Sequence, residues 1–276
     1  MSQTSIITSK VAHKNYFREF LNSFDLLYFF GLRDIQVRYK QAFFGVAWGV
    51  IRPLLTMCVF VFIFSKMAHF KSGNVSYSLF VLLPMLFWLL FSGALMDSSN
   101  SLIVNSNMLT KIYFPRMILP CSSVVVHVAD FLVGLVAFMV LACFTTDITQ
   151  VVVGVFLIVP FFIVLCLLLC IGTGLWLSAL TARYRDFRFI VPFTIQFGLF
   201  ISPVGYSSTM VSPDWIWLYS LNPLVGIVEG VRWAVFGSDF AFLPQAIALS
   251  CVITAFLLVS GYYYFRSTEH DLADII

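Results

Sequence analysis

Apolar and polar positions along this chain alternate in long blocks. Six mostly apolar runs, 50–67, 79–95, 118–143, 151–180, 190–204 and 242–265, are separated by charged or broken segments. Each lies near the ~20 residues that carry a helix across a hydrocarbon core, which predicts six membrane helices. The fifth run is short. The fourth is too long for one crossing, so its end is expected to project past the bilayer ahead of TARYRDFR (181–188). Between the fifth and sixth lies YSSTMVSPDWIWLYSLNPLVGIVEGVRWAVFG, residues 206–237, where Pro213, Pro223 and several glycines cut the apolar sequence into two pieces too short to span. Broken backbone at membrane depth persists only where it packs on protein or lines a cavity, so a re-entrant pair of half-helices is expected. Ahead of the first span the pattern changes to an amphipathic helix over 15–41, with Tyr16, Phe17, Phe20, Leu21, Phe24 and Leu27 on its lipid side. In the following LRDIQVRYKQAFFGVAWGVIRPLL (32–55), Leu32, Ile35, Tyr39 and Phe43 share a narrow face, while Arg33, Asp34, Arg38, Lys40 and Gln41 share another. That is the pattern of a helix lying between water and lipid.

Composition agrees. Hydrophobic residues are 61% of the 276 and charged ones 11%, against roughly 25% charged in a soluble domain. With a mean hydropathy of +0.96 the chain is an all-α, polytopic integral membrane protein. MSQTSIITSKVAHKNYFREF has no apolar core of the cleaved-signal type, so the first apolar run is expected to start insertion. Placing both termini in the cytoplasm puts thirteen Lys and Arg inside and three outside (Lys66, Lys71, Arg232), which fixes the expected orientation. Three regions follow: a cytoplasmic N-terminus with the interfacial helix (1–49), a six-helix membrane domain (50–266) holding the re-entrant segment, and a short cytoplasmic tail (267–276).

The chemistry is sparse. The chain has no GK dipeptide, hence no GxxxxGK[ST] phosphate loop, and neither HExxH nor GxSxG. Six cysteines (Cys58, Cys121, Cys143, Cys166, Cys170, Cys251) lie in or at the ends of apolar runs and read as small hydrophobes, with no metal site or disulfide framework. Asp97, Asp130, Asp147 and Glu229 belong to different segments, which leaves no carboxylate pair for acid–base work, and an enzyme is not expected. His127 and Asp130 share a face of the third span, as either a proton relay or a hydrogen-bonded packing pair. Arg52, beside Pro53 and one turn inside the first span, either binds an anionic head group or snorkels to the interface. Glu229 and Arg232 are spaced to pair across one helical turn. Gly45 with Gly49, and Gly226 with Gly230, have the spacing of close helix contacts. A secondary transporter would need more intramembrane charges and repeated halves, and a lipid-modifying enzyme would need clustered acid, base or metal ligands.

LRDIQVRYKQAFFGVAWGVIRPLL resembles the N-terminal signature of the membrane subunit of type-2 ABC exporters, in particular the O-antigen (Wzm-type) and teichoic-acid polysaccharide permeases. KIYFPRMILP (111–120), TARYRDFRFIVPF (181–193), SPVGY (202–206) and NPLVGIVEGVRWAVFG (222–237) continue the likeness in order along nearly the whole chain. The resemblance implies a homodimeric inner-membrane pore with six helices per subunit, served by two copies of a separate ATPase that binds ATP and Mg. Its cargo would be an undecaprenyl-diphosphate-linked polysaccharide moving from cytoplasm to periplasm, with teichoic acid or capsule as alternatives and an ion-coupled transporter more distant. On this basis Arg52, Arg38, Tyr39, Phe43 and Trp48 are candidates for the lipid diphosphate. Arg33, Asp34, Lys111, Arg116, Arg183, Arg185, Asp186 and Arg188 are candidates for the ATPase-coupling surface. Asn222, Pro223, Glu229 and Arg232 are candidates for a periplasmic gate, with an anchoring ion pair as the alternative for the last two.

Overall fold

The structure is a computed structural model that describes residues 23–40, 45–70, 75–112, 114–145, 148–237 and 244–269, with only the backbone of 148 and 150. Among these residues the regular structure is entirely helical. Helix α1 is Phe24–Lys40, α2 Trp48–Phe60, α3 Tyr77–Val104, α4 Ile118–Thr145, α5 Val159–Arg183, α6 Phe187–Ile201, α7 Pro223–Phe236 and α8 Pro244–Thr268. Two of them are extended by wider π-helical turns, α2 by Val61–Met67 and α5 by the preceding Gly154–Ile158. The start of the expected N-terminal helix, including Tyr16, Phe17, Phe20 and Leu21, lies outside the described residues, as does Phe43.

Helix α3 is the central post. In its most apolar stretch 78% of residues are buried, against 22% for Gly45–Met67 and for Pro244–Thr268, which leave most of their apolar surface for lipid. Its Leu79–Met85 run meets α4 and α5 in one contiguous core with Phe87, Phe131, Phe138, Phe162 and Leu169. Helix α5 packs along α8, and Gly172 permits this because a Cβ there would lie 2.7 Å from the Leu258 amide nitrogen. A second core of Leu102, Phe114, Ile118, Ala179 and Phe265 closes one end of the bundle. Leu27 and Phe30 of α1 pack on it, which corrects the lipid-facing assignment of Leu27. The nearby cluster captures the face that a free interfacial helix would give to lipid, while Phe24 stays exposed.

Five helical stretches are long and apolar enough to cross a membrane, including the 33-residue Val151–Arg183 expected to overrun the bilayer. Helix α6 has 15 residues, about 22 Å at 1.5 Å per residue, and does not reach across ~30 Å alone. Between Arg183 and Pro244 the chain nevertheless changes ends of the bundle. Arg116, just before α4, donates from Nη1 to the Glu269 carbonyl at 2.6 Å, so the C-terminal end of α8 lies with the end of the bundle that holds Phe114 and Ala182. Helix α8 is 25 residues long and starts at the far end, so the chain between Arg183 and Pro244 traverses the bundle through α6 and the turn after it.

The re-entrant segment differs from its expected form. Only its second piece is a helix of any length, the 14-residue α7, which runs from a crevice beside Trp88 and Phe91 to contact Gly154 with Ala234. The first piece breaks into single turns, Ser208–Met210, Pro213–Trp215 and Ile216–Tyr219. Ser207 accepts from the Thr209 amide and Pro213 restarts the chain, so local capping outcompetes a continuous helix. The connection between the second and third apolar runs, 79–95 and 118–143, is also shorter than those runs predict, because α3 continues to Val104. Gly45 and Gly49 are not an equivalent pair. Gly45 has φ +48°, a turn conformation suited to glycine, whereas Gly49 meets Val133 of α4. Gly226 and Gly230 both serve close contacts, but with different partners, Ala246 of α8 and Phe162 of α5.

Candidate functional site

The sequence places Arg38 and Tyr39 at the end of α1, His127 and Asp130 one turn apart on α4, and Asp97 deep in α3. Packing joins all five. Arg38 Nη1 donates to Asp130 Oδ2 at 2.8 Å and its Nη2 to Asp97 Oδ2 at 2.7 Å. The Tyr39 hydroxyl donates to the other oxygen of Asp130. His127 Nε2 lies 2.7 Å from Asp97 Oδ2, and against an ionised carboxylate the ring nitrogen is the donor. Gly93 makes the room for this ring, since a Cβ there would occupy the imidazole's position. Burial, together with the Asp130 carboxylate, pushes the Tyr39 phenol above the ordinary tyrosine range, so it remains a donor. Two carboxylates assigned to separate segments are therefore gathered on one guanidinium, and His127 and Asp130 are linked through Arg38 and Asp97 without bonding to each other. The separation of 30 or more residues between partners hid this cluster. The signal available was the carboxylates themselves, since an ionisable group inside an apolar span usually has a functional partner.

A cavity of about 280 Å³ opens beside this network, bordered by Arg38, Tyr39, Trp48, Arg52, His127 and Asp130. Four of the five residues expected at a lipid diphosphate thus line one space. Their charges differ in availability. Arg38 is committed to two carboxylates, whereas the exposed Arg52 guanidinium makes no hydrogen bond or ion pair with the described residues. Among the described lining residues it is the cation able to accept an anion without breaking a protein bond.

The expected coupling residues fall at the same end of the bundle but do not form one network. Arg33 pairs with Asp34 at 2.7 Å and reaches Asn105 Oδ1 at 3.3 Å, joining α1 to the end of α3. Arg116 is held by Glu269, whose carboxylate also pairs with Arg266 at 2.8 Å. Lys111, Arg183, Arg185, Asp186 and Arg188 are exposed, with the Arg183 guanidinium 5.5 Å from the Tyr184 ring centroid. Glu269 was missed by sequence reasoning because it sits at the polar end of a span, where charge is expected anyway.

At the far end Glu229 and Arg232 form an ion pair of 3.0 Å with side chains 1% and 0% exposed. Arg232 also donates to the Tyr206 and Val204 carbonyls, both at 2.9 Å, and stacks 3.8 Å from the Phe80 ring centroid. Glu229 Oε1 accepts from the Ser208 amide at 2.9 Å. Asn222 caps α7 through the Leu224 amide and bonds Ser202, with Pro223 at the first helical position where no amide hydrogen is needed. The Arg232 and Asn222–Ser202 bonds converge on the SPVGY turn, which Tyr77 also holds through the Gly205 carbonyl at 2.5 Å.

A helical bundle crossing the membrane, with a charged cavity between its spans and an interfacial helix across it, defines a membrane transport subunit. The family model described as ABC-2 type transporter matches residues 26–236, and the chain belongs to that family. Members are permease subunits whose ATP hydrolysis is supplied by a partner ABC ATPase. The chain is similar to "O-antigen export system permease protein RfbA" of Klebsiella pneumoniae, 25% identical over 256 residues that cover 92% of this chain and 95% of that protein. The protein of the same name in Myxococcus xanthus is 25% identical over 88% of this chain and 92% of its own length. "Polysialic acid transport protein KpsM" of Escherichia coli is 22% identical over 87% and 92%.

Proposed function

We propose that this chain is the permease of an O-antigen exporter, moving an undecaprenyl-diphosphate-linked polysaccharide across the bacterial inner membrane. It works as a homodimer with two copies of a cytoplasmic ABC ATPase, which binds the ATP and Mg. The observation that carries this reading is the likeness, over about nine-tenths of the chain, to permeases named for O-antigen export. The Arg52 cavity supports it: a guanidinium without a partner among the described residues, just inside the first span, suits bidentate capture of a diphosphate while the prenyl chain stays in lipid. Both termini lie in the cytoplasm, so α1, Lys111, Arg116 and the Arg183–Arg188 turn face the ATPase. The Glu229–Arg232 pair and the Asn222 cap hold the SPVGY turn on the periplasmic side and so keep the outer mouth closed at rest. Kinship with a polysialic acid transport protein favours a second reading in which the cargo is an acidic capsule.

The test is co-purification with the ATPase encoded beside this chain, followed by nucleotide hydrolysis with added lipid-linked glycans. Stimulation by an undecaprenyl-diphosphate-linked glycan is expected. Stimulation by capsular polymer instead would support the second reading, and hydrolysis by this polypeptide alone would overturn both.

A further inference from the structure

We infer that Arg38 is a latch: shared between Asp97 and Asp130, it holds α1 across the boundary between two open-sided clefts that join when it releases. Besides the Arg52 cavity, a polar crevice of about 360 Å³ lies between α1, α3 and α4, bordered by Arg33, Asp34, Asp97, Asn100 and Asn105. Arg38 borders both spaces, and they share no other lining residue among the described ones. Asp97 borders the crevice and Asp130 the cavity, so the two bonds of the guanidinium point one to each side.

The arrangement is built to open. The Arg38, Asp97 and Asp130 side chains are 34%, 44% and 30% exposed, and ion pairs that remain partly hydrated are weak enough to break within a working cycle. Asp97 would keep a donor afterwards, because His127 stays with it on the static spans. Arg38 and Tyr39 provide the hydrogen bonds between the last turn of α1 and α4, whereas the middle of the helix rests on Val125 through Gly31. What passes the latch rests on the transport reading above; the latch itself does not.

The experiment uses the full chain with its ATPase in lipid nanodiscs, native cysteines replaced, and Leu89→Cys as a reporter in the Arg52 cavity. A charged, water-soluble thiosulfonate is the probe. Asp97→Asn with Asp130→Asn should raise the labelling rate about tenfold, the factor that two part-exposed ion pairs can hold, and Arg38→Ala should do the same. An unchanged rate in both overturns the latch. A disulfide between Gly31→Cys and Val125→Cys needs the helices to part by only a few tenths of an ångström, since a Cβ at Gly31 would lie 3.1 Å from that of Val125, just inside the usual disulfide spacing. Formed in the double-Asn background, it should return labelling to the slow rate, and its formation also shows that α1 is folded in place. Fast labelling with the disulfide formed would mean that α1 is not the moving part, again overturning the proposal. No nucleotide or glycan is used, so failure here is distinct from failure of the transport reading, which rests on ATPase stimulation.

Discussion

Arg52 and Arg232 carry the same charge in opposite surroundings, and the difference decides what each substitution does. Arg52 is exposed and makes no pair among the described residues, so Arg52→Ala should leave the yield of folded complex unchanged while weakening activation by lipid-linked glycan about tenfold, the value of one lost charge-assisted contact. Titration of ATPase activity with the glycan reads this as a rise in half-saturating concentration, and an unchanged curve would remove Arg52 from the site. Glu229, by contrast, neutralises a fully buried guanidinium. Glu229→Gln leaves that charge uncompensated, and breaking a buried pair from one side costs about 3–5 kcal/mol, so the amount of folded complex should fall sharply. Transport per surviving complex then separates anchoring, where it stays normal, from gating, where it changes. The charge-swapped double variant should not rescue, because Arg232 also serves the Val204 and Tyr206 carbonyls and Glu229 the Ser208 amide, and neither exchanged side chain meets those partners. The pairing was legible from the i, i+3 spacing alone. Its burial, and the turn it clamps, lie 21 to 28 residues back in sequence and were not.

Helices were read well wherever twenty apolar residues stood together, because nothing but a helix satisfies its own backbone in lipid. The errors fall where that rule relaxes. At 207–219 the Ser207 side chain offers the backbone a local hydrogen bond and Pro213 withholds an amide donor, and three single turns replace the expected half-helix. On α1 the amphipathic pattern gave the helix but misjudged its faces: Arg38 was grouped with residues turned to water, yet it reaches two spans, since a long side chain near a face boundary follows its partners. Helix-to-helix fit is likewise invisible in an apolar sequence until the contacts are known. At the α5–α8 seam Gly172 sits against the Leu258 backbone, and Gly261 in turn against the Gly172 carbonyl. Gly172→Val should therefore force these helices apart, at the 1–3 kcal/mol typical of an overpacked core, and lower the thermal midpoint of the purified complex. Gly172→Ala should be milder. Equal stability of all three would show that the seam is looser than drawn.

At the scale of the molecule, the question is whether α6 completes a crossing that its length does not support unaided. The Arg116–Glu269 contact answers for this half of the bundle: after Arg116 the chain returns to the end it left, so between these two residues it changes ends an even number of times. In a bilayer the short helix is accommodated because Ser202, Val204 and Gly205 beyond it are buried against neighbouring spans and bonded to Tyr77, Asn222 and Arg232, so that no irregular backbone there meets lipid. This gives a topology prediction in four positions, all exposed: Lys66, Lys111, Arg185 and Ser267. Single cysteines placed there in a background without native cysteines should divide three to one under a membrane-impermeant reagent. Lys111, Arg185 and Ser267 should react from the cytoplasmic side, and Lys66 from the periplasmic side. If α6 failed to cross, Ser267 would move to the side of Lys66 while Arg185 stayed with Lys111, and Arg116 would lose the Glu269 contact. An inverted orientation would exchange all four together, which would preserve the fold but turn the Arg52 cavity away from the ATPase and so defeat export as proposed.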